Sequence, residues 1–203
     1  MPHLSEGATR RVTRELQKLN DNLGEGADRL EGGPVAEDKL HEWAVYLKGF
    51  TDTNASPSSQ AFGKQLVESG LDGVEFRVVF PPNYPNDPPF VYARKPRIRG
   101  AHVFGGGAMC MDVLMPHGWT PATTVHALMR TIRSCFEDSI GLAADWQTTG
   151  GQVRENTEDA ARRAFRTVES SHSDWKSATP ARPAPPVPIE SDRVEAAAKR
   201  QKA

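Results

Sequence analysis

Five prolines stand within nine residues at Pro81-Pro82-Asn83-Tyr84-Pro85-Asn86-Asp87-Pro88-Pro89. Proline has no backbone N–H and holds φ near −65°, so neither a helix nor the interior strand of a sheet can pass through this run. The spacing predicts a rigid extended crossing that divides the chain. Just before it, Val74, Phe76, Val78 and Phe80 alternate with Glu75, Arg77 and Val79, the period of a strand with one face on a core. Just after it, Phe90-Val91-Tyr92-Ala93 resumes as a strand.

The flanking segments supply helices. From Ala8 to Asn20, Val12, Leu16 and Leu19 fall at helical spacing, with Arg10, Arg11, Arg14 and Lys18 largely off that stripe. A basic face of this kind is either solvated or a docking face for an acidic partner. Gly32-Gly33-Pro34 reads as the end of a glycine-rich loop. Lys39 to Lys48 reads as a strand with Trp43, Val45 and Leu47 on one side. Ala61 to Glu68 reads as one or two helical turns. Thr120 suits an N-cap and Pro121 a first helical residue. That helix would run to about Glu137 and bury Val125, Leu128, Met129, Ile132 and Phe136. Thr157 opens another, with Glu158 and Asp159 where the helix dipole favours anions. Helix, then strands, then helices is α+β segregation rather than βαβ alternation. Prolines 180, 183, 185, 186 and 188 mark a stiff stretch unable to bury a core. The expected division is an N-terminal tail over 1–7, a core over 8–176 and a Pro-rich disordered tail over 177–203.

Charge and cysteine content narrow the function classes. Lys+Arg 25 against Asp+Glu 26 offers no global argument for nucleic acid or membrane partners. Met1 to Gly7 has no apolar run, so a secretory signal is not expected. Two cysteines, Cys110 and Cys135, make no disulfide framework, and a reducing cytosolic or nuclear compartment is expected. Cys135 is three residues past Ile132 on the same helical side, the position of a packed core thiol. Cys110 follows Gly105-Gly106-Gly107-Ala108-Met109, where backbone can pass close to another object and leave the thiol accessible. Cys110, His102, His117 and Cys135 lack metal-ligand spacing, so no metal site is expected. A papain-like hydrolase with His117 or His126 as base lacks its supporting motifs.

In this order the pieces resemble a ubiquitin-conjugating enzyme over roughly residues 8 to 176. The resemblance is carried by the Trp43 strand, by Val78-Val79-Phe80-Pro81 running into Tyr84-Pro85-Asn86-Asp87-Pro88-Pro89, by Cys110-Met111-Asp112-Val113-Leu114, and by Trp119-Thr120-Pro121-Ala122. Gly105-Gly106-Gly107-Ala108-Met109-Cys110-Met111 is most similar to the Gly-Gly-Ala-x-Cys-Met-Glu signature of the Q class. The resemblance implies a four-stranded antiparallel sheet flanked by an N-terminal helix, a central helix and C-terminal helices. It also implies that Cys110 takes ubiquitin as a thioester from an activating enzyme. The cargo then passes to a lysine or hydroxyl of a substrate, or to a ligase. ATP is used by the separate activating enzyme, so no cofactor is expected here.

Residue by residue, the resemblance makes Pro121 and Ala122 a ligase contact loop, and Arg10, Arg11 and Arg14 a docking face for activating enzyme or ligase. Typical members carry His-Pro-Asn upstream of the cysteine; the position of that Asn is His102 here, as the Q class also lacks it. His102 is thus a candidate for steadying the loop or the oxyanion. Asp138 and Asp145 lie roughly where the family places an acid near the incoming lysine, and Asp145 is the candidate for positioning it. Asn86 and Asp87 replace the aromatic residue expected for ligase contact. The competing expectation is an inactive fold relative that binds ubiquitin or a partner without carrying it.

Overall fold

The computed structural model describes residues 3–21, 30–52, 54–139, 141–144 and 153–171. One antiparallel sheet runs in the order β1-β2-β3-β4, from β1 (Leu30–Pro34), β2 (Glu42–Lys48), β3 (Gly73–Val79) and β4 (Phe90–Lys95). Sequence order equals spatial order, and the register sets Val45 against Phe76 and Val78 against Val91. The apolar faces read from the alternation are those that are buried. Trp43, Val45, Leu47, Val74, Phe76 and Val78 join one core with Val12 and Leu19 of α1 (Glu6–Asp21). The same core takes Phe62 and Leu66 of α2 (Pro57–Glu68) and Leu128, Met129, Ile132 and Phe136 of α3 (Val125–Asp138). The expected α+β arrangement is therefore observed.

A smaller cluster occupies the other face of the sheet near β4. Val79, Tyr92 and Ala108 pack there with Ala161 of α4 (Glu158–Ser171), and Phe90 and Phe165 close its rim with ring centroids 5.7 Å apart. Thr157 caps α4, its hydroxyl accepting from the Ala160 N–H at 3.3 Å. A short pair, β5 (Ile98–Arg99) with β6 (Ala143–Ala144), closes the end of the fold beyond β4.

Four local expectations are corrected. Gly32-Gly33-Pro34 belongs to edge strand β1 rather than to a loop; a Cβ on Gly32 would stand 2.5 Å from the Ala44 carbonyl oxygen. Residues 57–60 extend α2, whose N-cap is Ser56 with Pro57 in the first turn. Helix α3 opens at Val125 under a Thr124 cap, not at Pro121; Thr120 instead begins a turn closed by the Thr123 N–H at 3.0 Å. A Thr-Pro pair serves a turn as well as a helix start, and the turn prevails here. The proline run is not extended. It folds into successive turns, Tyr84 N–H to Pro81 O at 3.1 Å and Asn86 N–H to Asn83 O at 2.8 Å. Tyr84 is drawn into the core between Phe80 and Trp119.

Glu15 sits among the apolar positions of α1 and is buried. Its Oε1 accepts from Arg11 Nε at 2.6 Å and Tyr84 Oη at 3.2 Å, and its Oε2 from the Val125 N–H at 2.8 Å. One carboxylate thus joins α1, the proline turns and the start of α3. Burying it is tolerable because all three contacts are donors. Glu15→Gln keeps the shape but aims an amide N–H at a donor, whichever way the amide turns. The variant is expected to lose about 2 kcal/mol and to melt about 4–8 °C lower, measured by thermal denaturation followed by circular dichroism.

Candidate functional site: the Cys110 hairpin

The segment from Gly100 to Cys110 doubles back on itself beside β4. Val103 N–H bonds Gly100 O at 3.0 Å, Phe104 N–H bonds Ala108 O at 2.9 Å, and Cys110 N–H bonds His102 O at 2.8 Å. The returning arm is clamped to β4 by Ala93 N–H to Gly107 O at 2.8 Å and Met109 N–H to Val91 O at 3.1 Å. Ala108 and Met109 are buried, whereas Cys110 is half-buried and its thiol free. The glycine run has the close neighbours its composition implied. Gly106 lies against the Ala160 carbonyl at the start of α4, and Gly107 against Ala93 of β4 and the Asn156 side chain. Ala101 and His102 both adopt left-handed backbone, with φ of 49° and 59°. This bend is pinned from outside by Ala101 N–H donating to Ser139 Oγ at 2.8 Å. Ser139 follows α3 directly, so the end of the central helix steadies the bend facing Cys110.

Beyond Cys110, Met111 leads into a single 3₁₀ turn, Asp112–Leu114. Gly118 packs so tightly on it that a Cβ would lie 2.2 Å from Asp112 O. Trp119 donates its indole N–H to Pro85 O at 2.7 Å, tying this turn to the proline turns.

Burial pushes the Cys110 thiol above its ordinary pKa, and the Asp112 carboxylate adds to the rise. Cys135 is raised likewise, by burial and then by Asp138. The resting protein therefore holds less Cys110 thiolate at neutral pH than a free cysteine. Its alkylation should climb with pH past the usual thiol range. Asp112→Asn removes the anionic contribution and lowers the pKa, leaving burial in place. Iodoacetamide labelling at pH 7.5, with Cys110 and Cys135 resolved by peptide mass spectrometry, should be about two- to threefold faster at Cys110 in this variant. An unchanged or slower rate would contradict it.

The other predicted residues fall at distinct places. His102 contacts Cys110 through its backbone carbonyl, and its side chain is exposed. Pro121 and Ala122 are exposed in the turn before α3. Arg10 pairs with Glu6, and Arg14 is exposed. Arg11 is largely engaged within the fold: besides Glu15, it donates to Thr123 O at 2.9 Å, joining α1 to the Pro121 turn. Asp138 is exposed at the end of α3, next to Ser139. Asp145 and the tail over 177–203 lie outside the described residues. Among the described residues, no cluster of His, Cys, Asp or Glu side chains is placed to hold a metal ion. Sequence reading missed Asn156, Ser139 and Glu15, each of which acts across the fold on partners remote in sequence.

A family model described as ubiquitin-conjugating enzyme matches residues 72–167, a span that holds β4, the Cys110 hairpin, α3 and most of α4. A ubiquitin-conjugating enzyme E2 Q-like protein of Drosophila melanogaster is 29% identical over 174 residues, 85% of this chain and 53% of the relative. The human E2 Q-like protein 1 is 25% identical over 165 residues, 81% of this chain and 97% of the relative. Human ubiquitin-conjugating enzyme E2 Q1 is 30% identical over 129 residues, 62% of this chain and 29% of the relative. The chain thus spans about half the length of the fly relative and under a third of E2 Q1. The solved structure of human ubiquitin-conjugating enzyme E2 G1 has the same fold, with a TM-score of 0.50 at 23% identity over 66% of this chain and 96% of that one. The family match over residues 72–167 and the similarity to the Q-like proteins and to E2 Q1 support a ubiquitin-conjugating enzyme family, Q-class-like.

Proposed function

We propose that this chain accepts ubiquitin from an activating enzyme as a thioester on Cys110 and passes it to a protein acceptor or a ligase. The observation that carries this reading is a free, half-buried Cys110 at the end of a hairpin fixed from behind by β4 and α4. The Cys110 thiolate attacks the carbonyl of the incoming thioester, and the activating enzyme's thiolate leaves from the tetrahedral intermediate. A lysine amine, or a hydroxyl, then attacks the Cys110 thioester and releases the thiolate. Burial and the Asp112 carboxylate raise the resting thiol, which lowers the thiolate fraction available to the first step.

His102 contributes chiefly by steadying the loop, since its carbonyl is bonded to the Cys110 N–H. Pro121, Ala122 and the exposed arginines of α1 form the docking side for activating enzyme and ligase. ATP is consumed on the activating enzyme, and the cytosol or nucleus keeps the thiol reduced. The test is charging: protein, activating enzyme, ubiquitin and ATP should give an adduct that a thiol reductant removes. The raised thiol favours a second reading, a partner-binding relative that carries no cargo, and absence of any adduct would select it.

A further inference from the structure

The bend at Ala101-His102 holds backbone that a side chain disfavours. Both residues have positive φ, 49° and 59°, and Val103 N–H donates to Gly100 O at 3.0 Å to close the turn around them. Positive φ at both central positions is the geometry of a primed hairpin turn, which ordinarily takes Asn-Gly or a similar pair. Here an alanine and a histidine occupy it. A Cβ in the left-handed region crowds the following carbonyl, so such a bend persists only where its surroundings over-determine it. What holds it is therefore a question about the site, because His102 O accepts the Cys110 N–H at 2.8 Å.

The hold comes from the residues that follow α3. Ahead of the bend, Ile98 and Arg99 of β5 pair with Ala144 and Ala143 of β6. Beyond Gly100, the Ser139 side chain takes over, its Oγ accepting the Ala101 N–H at 2.8 Å. Gly100 lies between the two, where a Cβ would stand 3.2 Å from both Ser139 Oγ and Leu142 Cα. Ser139 is in turn fixed as the C-cap of α3, its N–H donating to the carbonyl of Phe136, a fully buried core residue. The anchor is thus tied to the core rather than to the hairpin it steadies. Ala101 is 4% exposed, so loss of the hydroxyl strands its N–H away from water. The left-handed turn then loses the acceptor that offsets its strain.

We propose that Ser139 is a positioning residue for acyl transfer. Its hydroxyl keeps the Ala101-His102 bend left-handed, and through His102 O the bend fixes the backbone of Cys110. In the transfer step a lysine amine attacks the thioester carbonyl. The C–N bond forms, the C–S bond breaks to release the Cys110 thiolate, and the surplus amine proton passes to solvent. Such a step slows sharply when the reacting carbon is misplaced, and that carbon is borne on the Cys110 side chain. The effect on transfer rests on the carrier reading of Cys110; the hold on the hairpin does not.

Two measurements on the full chain test this. The first is amide exchange of the uncharged protein, followed residue by residue by NMR. Ser139→Ala should speed exchange at the Cys110 and Val103 amides about tenfold and leave the Leu128 to Ile132 amides of α3 unchanged. The second is single-turnover discharge of preformed thioester to excess free lysine after ATP is removed. Ser139→Ala should slow discharge about five- to tenfold in the wild-type background, but under about twofold in a His102→Gly background, because glycine takes the left-handed region without an anchor. A serine that merely stabilised the end of α3 would slow discharge equally in both backgrounds. Equal slowing in the two backgrounds, no slowing in either, or unchanged exchange at Cys110 would overturn the proposal. If the wild type forms no adduct, the carrier reading fails, and exchange at Cys110 still decides whether Ser139 holds the bend.

Discussion

Cys110→Ser, mixed with activating enzyme, ubiquitin and ATP, is expected to form a ubiquitin adduct slowly, and that adduct should resist thiol reductants. The wild-type adduct should form readily and vanish on reduction, and Cys110→Ala should form none. The reasoning is chemical. Even a thiol raised above its usual pKa ionises far more readily than a serine hydroxyl, which carries almost no alkoxide at neutral pH, so exchange slows by orders of magnitude. The product is an oxygen ester, which a thiol reductant does not cleave but mild base does. Cys135→Ala is the matched control. Cys135 is half-buried and packs against the core from α3, and burial raises its pKa as well. That variant should charge like the wild type. A reducible adduct that survives Cys110→Ala, or one mapped to Cys135, would end the carrier reading.

What could be read from the residues depended on how local the determining contacts were. The alternation in Val74 to Phe80 and the stripe from Val125 to Phe136 were legible because a strand or helix with one buried face must repeat apolar residues at its own period. Strand β1 was not legible. Gly32, Gly33 and Pro34 carry the composition of a loop, and only the approach of Ala44 across the ladder explains why Gly32 has no side chain. The start of α3 was misplaced because Thr120 and Thr124 are both competent caps, and Glu15 on α1 decides between them by accepting the Val125 N–H. Glu15 itself breaks the apolar stripe of α1, and its partners lie far away in sequence.

The site divides in the same way. The glycine run and Cys110 marked a tight loop carrying a thiol, but the objects the glycines approach come from β4 and from the segment entering α4. Asn156 reads as an ordinary loop residue until its side chain is seen bonded to Ala93 beneath Gly107. The proline run was correctly excluded from helix and sheet. Its turns were missed because the pull on Tyr84 comes from Phe80 and Trp119, not from the prolines.

Gly107→Ala should be among the most damaging single changes near the site, and Gly105→Ala among the mildest, although both replace a glycine of the same run. At Gly107 the backbone has φ of 92°, where an L side chain is strained by about 1–3 kcal/mol. The new Cβ would also stand 2.3 Å from Ala93 O and 2.5 Å from Asn156 Nδ2. Neither neighbour can yield cheaply. Ala93 O already accepts the Asn156 amide, and Ala93 N–H holds Gly107 O. Relief therefore means opening the hairpin from β4 and loosening Asn156, which leads into α4. A loss of about 3 kcal/mol or more is expected, with a melting temperature lower by about 6–12 °C. Because the returning arm carries Cys110 three residues on, adduct formation should fall even at temperatures where the variant remains folded. At Gly105 no atom lies within 4 Å of where an added methyl would stand, and the backbone is not left-handed, so alanine should change stability by under about 0.5 kcal/mol. Equal melting temperatures for the two variants would show that the hairpin is not clamped through Gly107, and the placement of Cys110 would then need another support.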